Sequence, residues 1–132
     1  MVSYPRAVNG FPPAPRTIET EYCPTYIPER FVEDTYLVTD AVITRIWKSD
    51  NGEYLAFSQE TIPPDGEGPH PNAEDVAVER ILLNGYEVFL VRSGHRLYYW
   101  TDNEYLYSLI LDPSIPEEEG NQIFYSIFPL GN

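Results

Sequence analysis

The sequence holds 132 residues, 42% hydrophobic and 22% charged, a composition that fits one ordinary globular domain and excludes wholesale disorder, collagen-like repeats and a coiled coil. Twenty-one acidic against eight basic residues give a formal net charge of -13. The cations stand singly, with no basic stripe, so the field repels polyanions and excludes nucleic acid and anionic lipid as partners.

Proline punctuates the start of the chain, at Pro5, Pro12, Pro13, Pro15, Pro24 and Pro28. Each ring removes a backbone donor and restricts its predecessor, which disfavours helix and central strand alike. Residues 1–21 read as a proline-rich arm or linker, with Tyr4 and Phe11 available to dock on the domain, and 22–132 read as a single domain. Cys23 is the only cysteine in the sequence, so an intrachain disulfide and a thiolate metal cluster are excluded, while an interchain bridge stays open. No stretch approaches the ~18–20 apolar residues that span a bilayer, and residues 1–20 lack a signal-peptide pattern. The chain as given therefore reads as soluble, and an anchor preceding Met1 would lie outside it.

From Ala41 onward, β-branched and aromatic residues alternate with turn chemistry. Strands are predicted over 41–48 and 53–61, joined by Ser49-Asp50-Asn51-Gly52, whose Asn-Gly favours the positive φ of a tight turn. A second Asn-Gly, Asn84-Gly85, separates strands predicted over 76–83 and 86–92. Further strands are predicted over 96–100 and 105–111, which makes an antiparallel meander of about six. Between the first two hairpins, residues 63–71 carry four prolines and two glycines and read as a surface loop, a tolerated insertion rather than a lid.

The last element is predicted as a helix. Ser114 is its candidate N-cap, three residues before Glu117, and Glu117, Glu118 and Glu119 sit beside the positive end of the dipole. Ile123 and Ile127 recur at i,i+4 with Phe124 beside them, a stripe to lay on one sheet face, although Gly120 costs about 1 kcal/mol of helix propensity. The fold class is α+β: a twisted antiparallel meander with one C-terminal helix. Residues 86–91 are apolar on both faces, so part of the opposite face also needs cover, from the arm or from curvature.

Catalytic chemistry has few candidates. His70 lies in the proline-rich loop and His95 in a strand-to-strand turn, neither in a nucleophile motif nor at metal-ligand spacing. Asp50-Asn51-Gly52-Glu53 and Asp102-Asn103-Glu104 resemble fragments of calcium loops without the twelve-residue pattern, and read as turns. Phosphate-binding glycine loops and the nucleophile elbow are absent from the sequence. The conspicuous cluster is aromatic: Tyr98, Tyr99, Trp100, Tyr105 and Tyr107 fall within ten positions. Strand alternation puts Tyr98 and Trp100 on one face, Tyr99 on the other, and Tyr105 with Tyr107 together on the next strand. Cross-strand packing is the preferred role, and a ligand or partner surface the functional one.

Tyr22-Cys23-Pro24-Thr25-Tyr26-Ile27-Pro28-Glu29-Arg30-Phe31, Leu97 to Tyr107 with its Trp100-Thr101-Asp102 turn, and the glutamate-rich run from Ser114 to Ile127 carry a resemblance. They resemble a bacterial domain-of-unknown-function family found at the extracytoplasmic C-terminus of membrane-anchored, anti-sigma-factor-like proteins. Arg30 stands where that family's P-x-G-F opening has glycine, and Glu104 where its W-x-D-x-G-Y turn has glycine. The resemblance implies a non-enzymatic extracytoplasmic sensing or protein-interaction domain, anchored through a segment not in this chain. It implies no cofactor, and a protein or cell-wall ligand as partner. A glycan- or peptide-binding module using Tyr98, Tyr99, Trp100, Tyr105 and Tyr107 is the alternative, and a carboxylate-dependent hydrolase a third reading.

Overall fold

The computed structural model describes residues 17–62, 77–92 and 94–130. A short strand, β1 (Tyr22–Pro24), precedes three antiparallel strands, β2 (Phe31–Val38), β3 (Val42–Ser49) and β4 (Tyr54–Thr61). Four more follow, β5 (Ala77–Leu83), β6 (Tyr86–Arg92), β7 (Arg96–Thr101) and β8 (Tyr105–Leu111), then the helix α1 (Glu117–Tyr125) and a last short strand, β9 (Ile127–Pro129). The fold is α+β and antiparallel as expected. The described residues form nine strands rather than about six: a seven-stranded sheet and a two-stranded ribbon of β1 with β9.

The sheet order is β2-β3-β4-β8-β7-β6-β5, which corrects the continuous meander. β4 pairs with β8, more than fifty residues on in sequence at Leu55↔Leu111 and Phe57↔Leu109, and the chain enters the second half at the far edge with β5. Burial explains the order. Leu55, Phe57, Leu109 and Leu111 are all but inaccessible to solvent and belong at the centre, whereas β5 carries exposed Glu79 and Arg80, charges suited to an edge. β2 forms the other edge and escaped prediction because Glu33-Asp34 interrupts its alternation. The pairing with β3 shifts register between Glu33 and Thr35, a bulge that absorbs Asp34.

Turn chemistry behaves as predicted at the second Asn-Gly, whereas in the longer β3–β4 turn only Gly52 (φ 86°), and not Asn51, is left-handed. Asn84 (φ 53°) and Gly85 (φ 85°) make the two-residue turn between β5 and β6, the left-handed pair a tight hairpin requires. In the β7–β8 turn the left-handed residue is Asn103 (φ 74°), so Glu104, in the glycine position of the resembled motif, adopts no strained backbone.

The helix is shorter and starts later than predicted. Its N-cap is Pro116, without a side-chain capping bond, because Ser114 is already engaged: its Oγ bonds the carboxylates of Glu53 and Asp112. Glu117, Glu118 and Glu119 fill the first turn as expected. At the other end Ser126 stops the helix and Ile127 belongs to β9, so Ile123 and Ile127 are not one helical stripe. Ser126 Oγ donates to the Ile123 carbonyl and accepts the N–H groups of Thr25 and Tyr26, tying the helix end to the segment after β1.

Helix and ribbon cover one face of the sheet. Beneath them lie Leu55, Phe57, Val88, Leu90, Leu109 and Leu111, closed by Ile115, Ile123 and Phe124. Gln59, fully buried among them, accepts the Tyr22 N–H (2.9 Å) and donates to the Thr20 carbonyl (2.9 Å), which satisfies its amide and seats the ribbon over β4. On the opposite face Val91 is buried, while Ile46, Phe89, Leu97, Tyr99 and Ile110 are half-buried. Residues 18–21 bond to the sheet through Ile18, Glu19 and Glu21. The rest of the arm, including Tyr4 and Phe11, and the loop 63–71 lie outside the described residues.

Candidate functional site

At one end of the sheet, register brings together side chains that are far apart in sequence. Trp100 on β7 pairs with Tyr107 on β8, and Tyr107 with Gln59 on β4, whose amide holds Tyr22. The two indole and phenol rings stack at 5.3 Å. The Tyr22 ring meets Tyr107 edge-on at 5.5 Å, and Phe124 of α1 packs on Trp100 at 4.6 Å. Tyr86 opens β6 on the same face and lines the same space. These rings wall a notch of about 30 Å³, with Asn84 and Ile127 at its margin and Asp102 beside the rings. That volume holds one or two water-sized groups.

Asp102 is placed by the turn that bears it. Its Oδ1 accepts the N–H groups of Glu104 (2.9 Å) and Tyr105 (3.0 Å), and its Oδ2 accepts the Tyr107 hydroxyl at 2.7 Å. Burial, and then this bond to a carboxylate, push the Tyr107 phenol well above its ordinary range. Burial also raises Tyr22, helped by the negative charges of Asp102 and Glu104. The calcium-loop fragment at 102–104 is thus a turn, as read from sequence, that also supplies an acid to the notch.

Of the five aromatics singled out by sequence, Trp100 and Tyr107 wall the notch and are buried. Tyr98 and Tyr105 are buried in the core, where the Tyr98 hydroxyl donates to Asn121 (2.9 Å) and the Tyr105 hydroxyl accepts the Glu19 N–H (3.0 Å). Tyr99 is half-buried on the opposite face. The alternation argument thus assigned each ring to the correct face, and the notch draws on two of the five. Tyr22, Tyr86, Asp102 and Phe124 were missed, because they meet only through the ribbon, the β6–β7 register and the helix. The spacing of Asp102 two residues after Trp100, at a hairpin end, was the available signal.

A second, open depression lies at the far end, lined by Arg30, Asn51, Gly52, Glu53, Asp112 and Ser114. Its charges satisfy one another. Arg30 bonds Glu53 (2.8 Å) and Glu119 (2.8 Å), bridging the β3–β4 turn to the helix, and the guanidinium also lies over the Phe31 ring at 4.8 Å. Bonds from Arg30 and then Ser114 hold the Glu53 carboxyl below its usual range, which keeps it ionised. His95 is half-buried in the β6–β7 turn, His70 lies outside the described residues, and Cys23 is buried, which raises its thiol pKa. Among the described residues no group of three metal-ligating side chains converges.

A family model described as Domain of unknown function (DUF4367) matches residues 21–127. The chain belongs to the DUF4367 family. Every wall of the notch, from Tyr22 to Ile127, falls inside that match. Neither the curated proteins nor the solved structures contain a match to the chain. Arg30, which stands where the resembled opening has glycine, supplies the ionic bridge between hairpin and helix in this DUF4367 domain.

Proposed function

We propose that this DUF4367 domain is an extracytoplasmic protein-interaction module of an anti-sigma-factor-like membrane protein, and that it holds part of its partner in the Asp102 notch. The observation that carries the reading is the notch: rings from three strands, a ribbon and a helix converge on a small space with an acid at its edge. Fixed aromatic walls around one polar group are the usual form of a site that seats a side chain. The localisation and the anchor rest on the resemblance alone.

Size separates this reading from a glycan site. Pockets that enclose a small ligand measure roughly 300–1,000 Å³, against about 30 Å³ here. A sugar ring does not enter, whereas the end of one side chain does. The test is amide NMR of the full chain during titration with unstructured peptides and with soluble cell-wall fragments. Peptide-induced shifts centred on Tyr86, Trp100 and Asp102 are expected. Shifts elsewhere only, or a response to glycan fragments and not to peptides, would overturn the reading. Protease accessibility of the native protein in intact cells tests its location.

A further inference from the structure

We propose that the notch is a socket for a primary ammonium group, the side-chain end of a lysine on a basic segment of the partner. The inference rests on the interaction reading above and adds the chemistry of the occupant.

Three observations converge. The first is an unfilled acceptor. A carboxylate offers about four lone-pair sites, and Asp102 uses three, for two backbone N–H groups and the Tyr107 hydroxyl. The fourth, on Oδ2, meets no donor among the described residues. Tyr107 donates its hydroxyl hydrogen to Asp102, and Tyr22 adds a second phenol to the same notch, so the polar edge of the space is a carboxylate flanked by phenol oxygens. A group with several N–H donors matches such a site, and one with further acceptors does not.

The second is charge. Arg30, Arg45, Lys48, Arg80 and Arg92 each pair with acids, and the buried Arg96 donates to the Ile115 carbonyl. Asp102 and Glu104 form no ion pair among the described residues. Among the described residues Asp102 thus has no cation of its own, and a chain of net charge -13 attracts a basic partner over long range.

The third is size and wall chemistry. An ammonium group is close to a water molecule in size and fits a space of about 30 Å³. A trimethylammonium or a planar guanidinium is larger. Aromatic walls favour a cation over a neutral group of the same size, through the ring quadrupole, and shelter it from water.

The test uses the full chain and short capped peptides of one sequence, carrying at the central position lysine, acetyl-lysine, trimethyl-lysine or norleucine. Trp100 fluorescence and amide NMR report binding. The lysine peptide is expected to bind about tenfold or more tightly than the other three and to weaken with added salt. Asp102→Asn, which keeps the oxygen that holds the turn, is expected to abolish that preference. Tyr86→Ala, at the exposed rim, is expected to weaken lysine binding without unfolding the domain. Equal binding of lysine and norleucine peptides at the notch would overturn the ammonium socket while leaving the interaction module standing. No notch response to any peptide would overturn both. The peptide comparison is decisive on the unmutated chain even if Asp102→Asn fails to fold.

Discussion

Gln59 lies on the covered face beneath the ribbon with no solvent exposure, and both ends of its amide are bonded to the backbone of residues 20 and 22. Replacing it by leucine keeps the volume and strips two half-buried backbone groups of their partners, which costs up to about 1–3 kcal/mol for each group that water does not reach. Gln59→Leu is therefore expected to unfold at lower urea, and to loosen Tyr22 at the notch; an unchanged midpoint would refute the assignment. Gly120 is the opposite case, an apparent weakness with a packing cause. A Cβ there would stand 2.6 Å from Leu111 Cδ1 and 3.3 Å from the Tyr98 hydroxyl. Leu111 is fully buried and has little freedom to move. Alanine gains about 1 kcal/mol in a solvent-exposed helix, yet overpacking a core costs about 1–3 kcal/mol. Gly120→Ala should therefore destabilise the domain in urea denaturation, and a gain in stability would show that the helix stands further from the sheet than described.

The elements are held by a few specific links. Two sheet-side arginines reach helix acids, Arg30 to Glu119 and Arg92 to Glu117. Arg30 also draws Glu53 below its ordinary value. A carboxylate with a lowered folded pKa stabilises the fold above its unfolded value of about 4.3 and loses that contribution as pH falls through the lowered one. Arg30→Met keeps contact with Phe31 and removes the charge. It should cost at most about 1 kcal/mol at pH 7, since the groups are partly solvated. The difference from the parent should shrink as pH drops below about 4, and urea midpoints across that range check it. A constant difference would assign Arg30 to packing rather than charge. Such links also mark what the sequence could reveal. Asn84-Gly85 and the alternation over 96–111 are local, and both hairpin and facing were legible. The β4–β8 pairing, the ribbon of two proline-bearing strands and the bulge at Asp34 depend on contacts distant in sequence, and periodicity carries no trace of them. The notch inherits that asymmetry: Trp100 and Tyr107 were visible as a cluster, whereas Tyr22 and Phe124 reach them only through the ribbon and the helix.

Taken whole, the molecule is an acidic shell around a tyrosine-rich interior. Tyr98 and Tyr107 are buried, and burial raises both phenols, with the bond to Asp102 adding to the effect at Tyr107. Tyr22 and Tyr99, half-buried, are raised for the same first reason. A group whose folded pKa exceeds its unfolded one contributes stability below the unfolded value, about 10 for tyrosine, and that stability is lost as pH rises beyond it. The unfolded chain then releases protons that the folded interior retains. Added negative charge also deepens the self-repulsion of a chain already at -13. Alkaline titration should therefore show two waves of tyrosinate absorbance. Phenols in contact with water ionise first, around pH 10, with the fold intact. The interior rings ionise later, together with loss of Trp47 and Trp100 fluorescence structure and of the β-sheet circular dichroism. Tyr107→Phe removes the bond to Asp102 and one phenol with a raised pKa, so it should lower stability at neutral pH and make the further loss of stability above pH ~10 shallower. One wave near pH 10 with the sheet intact would mean that the rings around the notch are in contact with water and that Asp102 does not hold Tyr107.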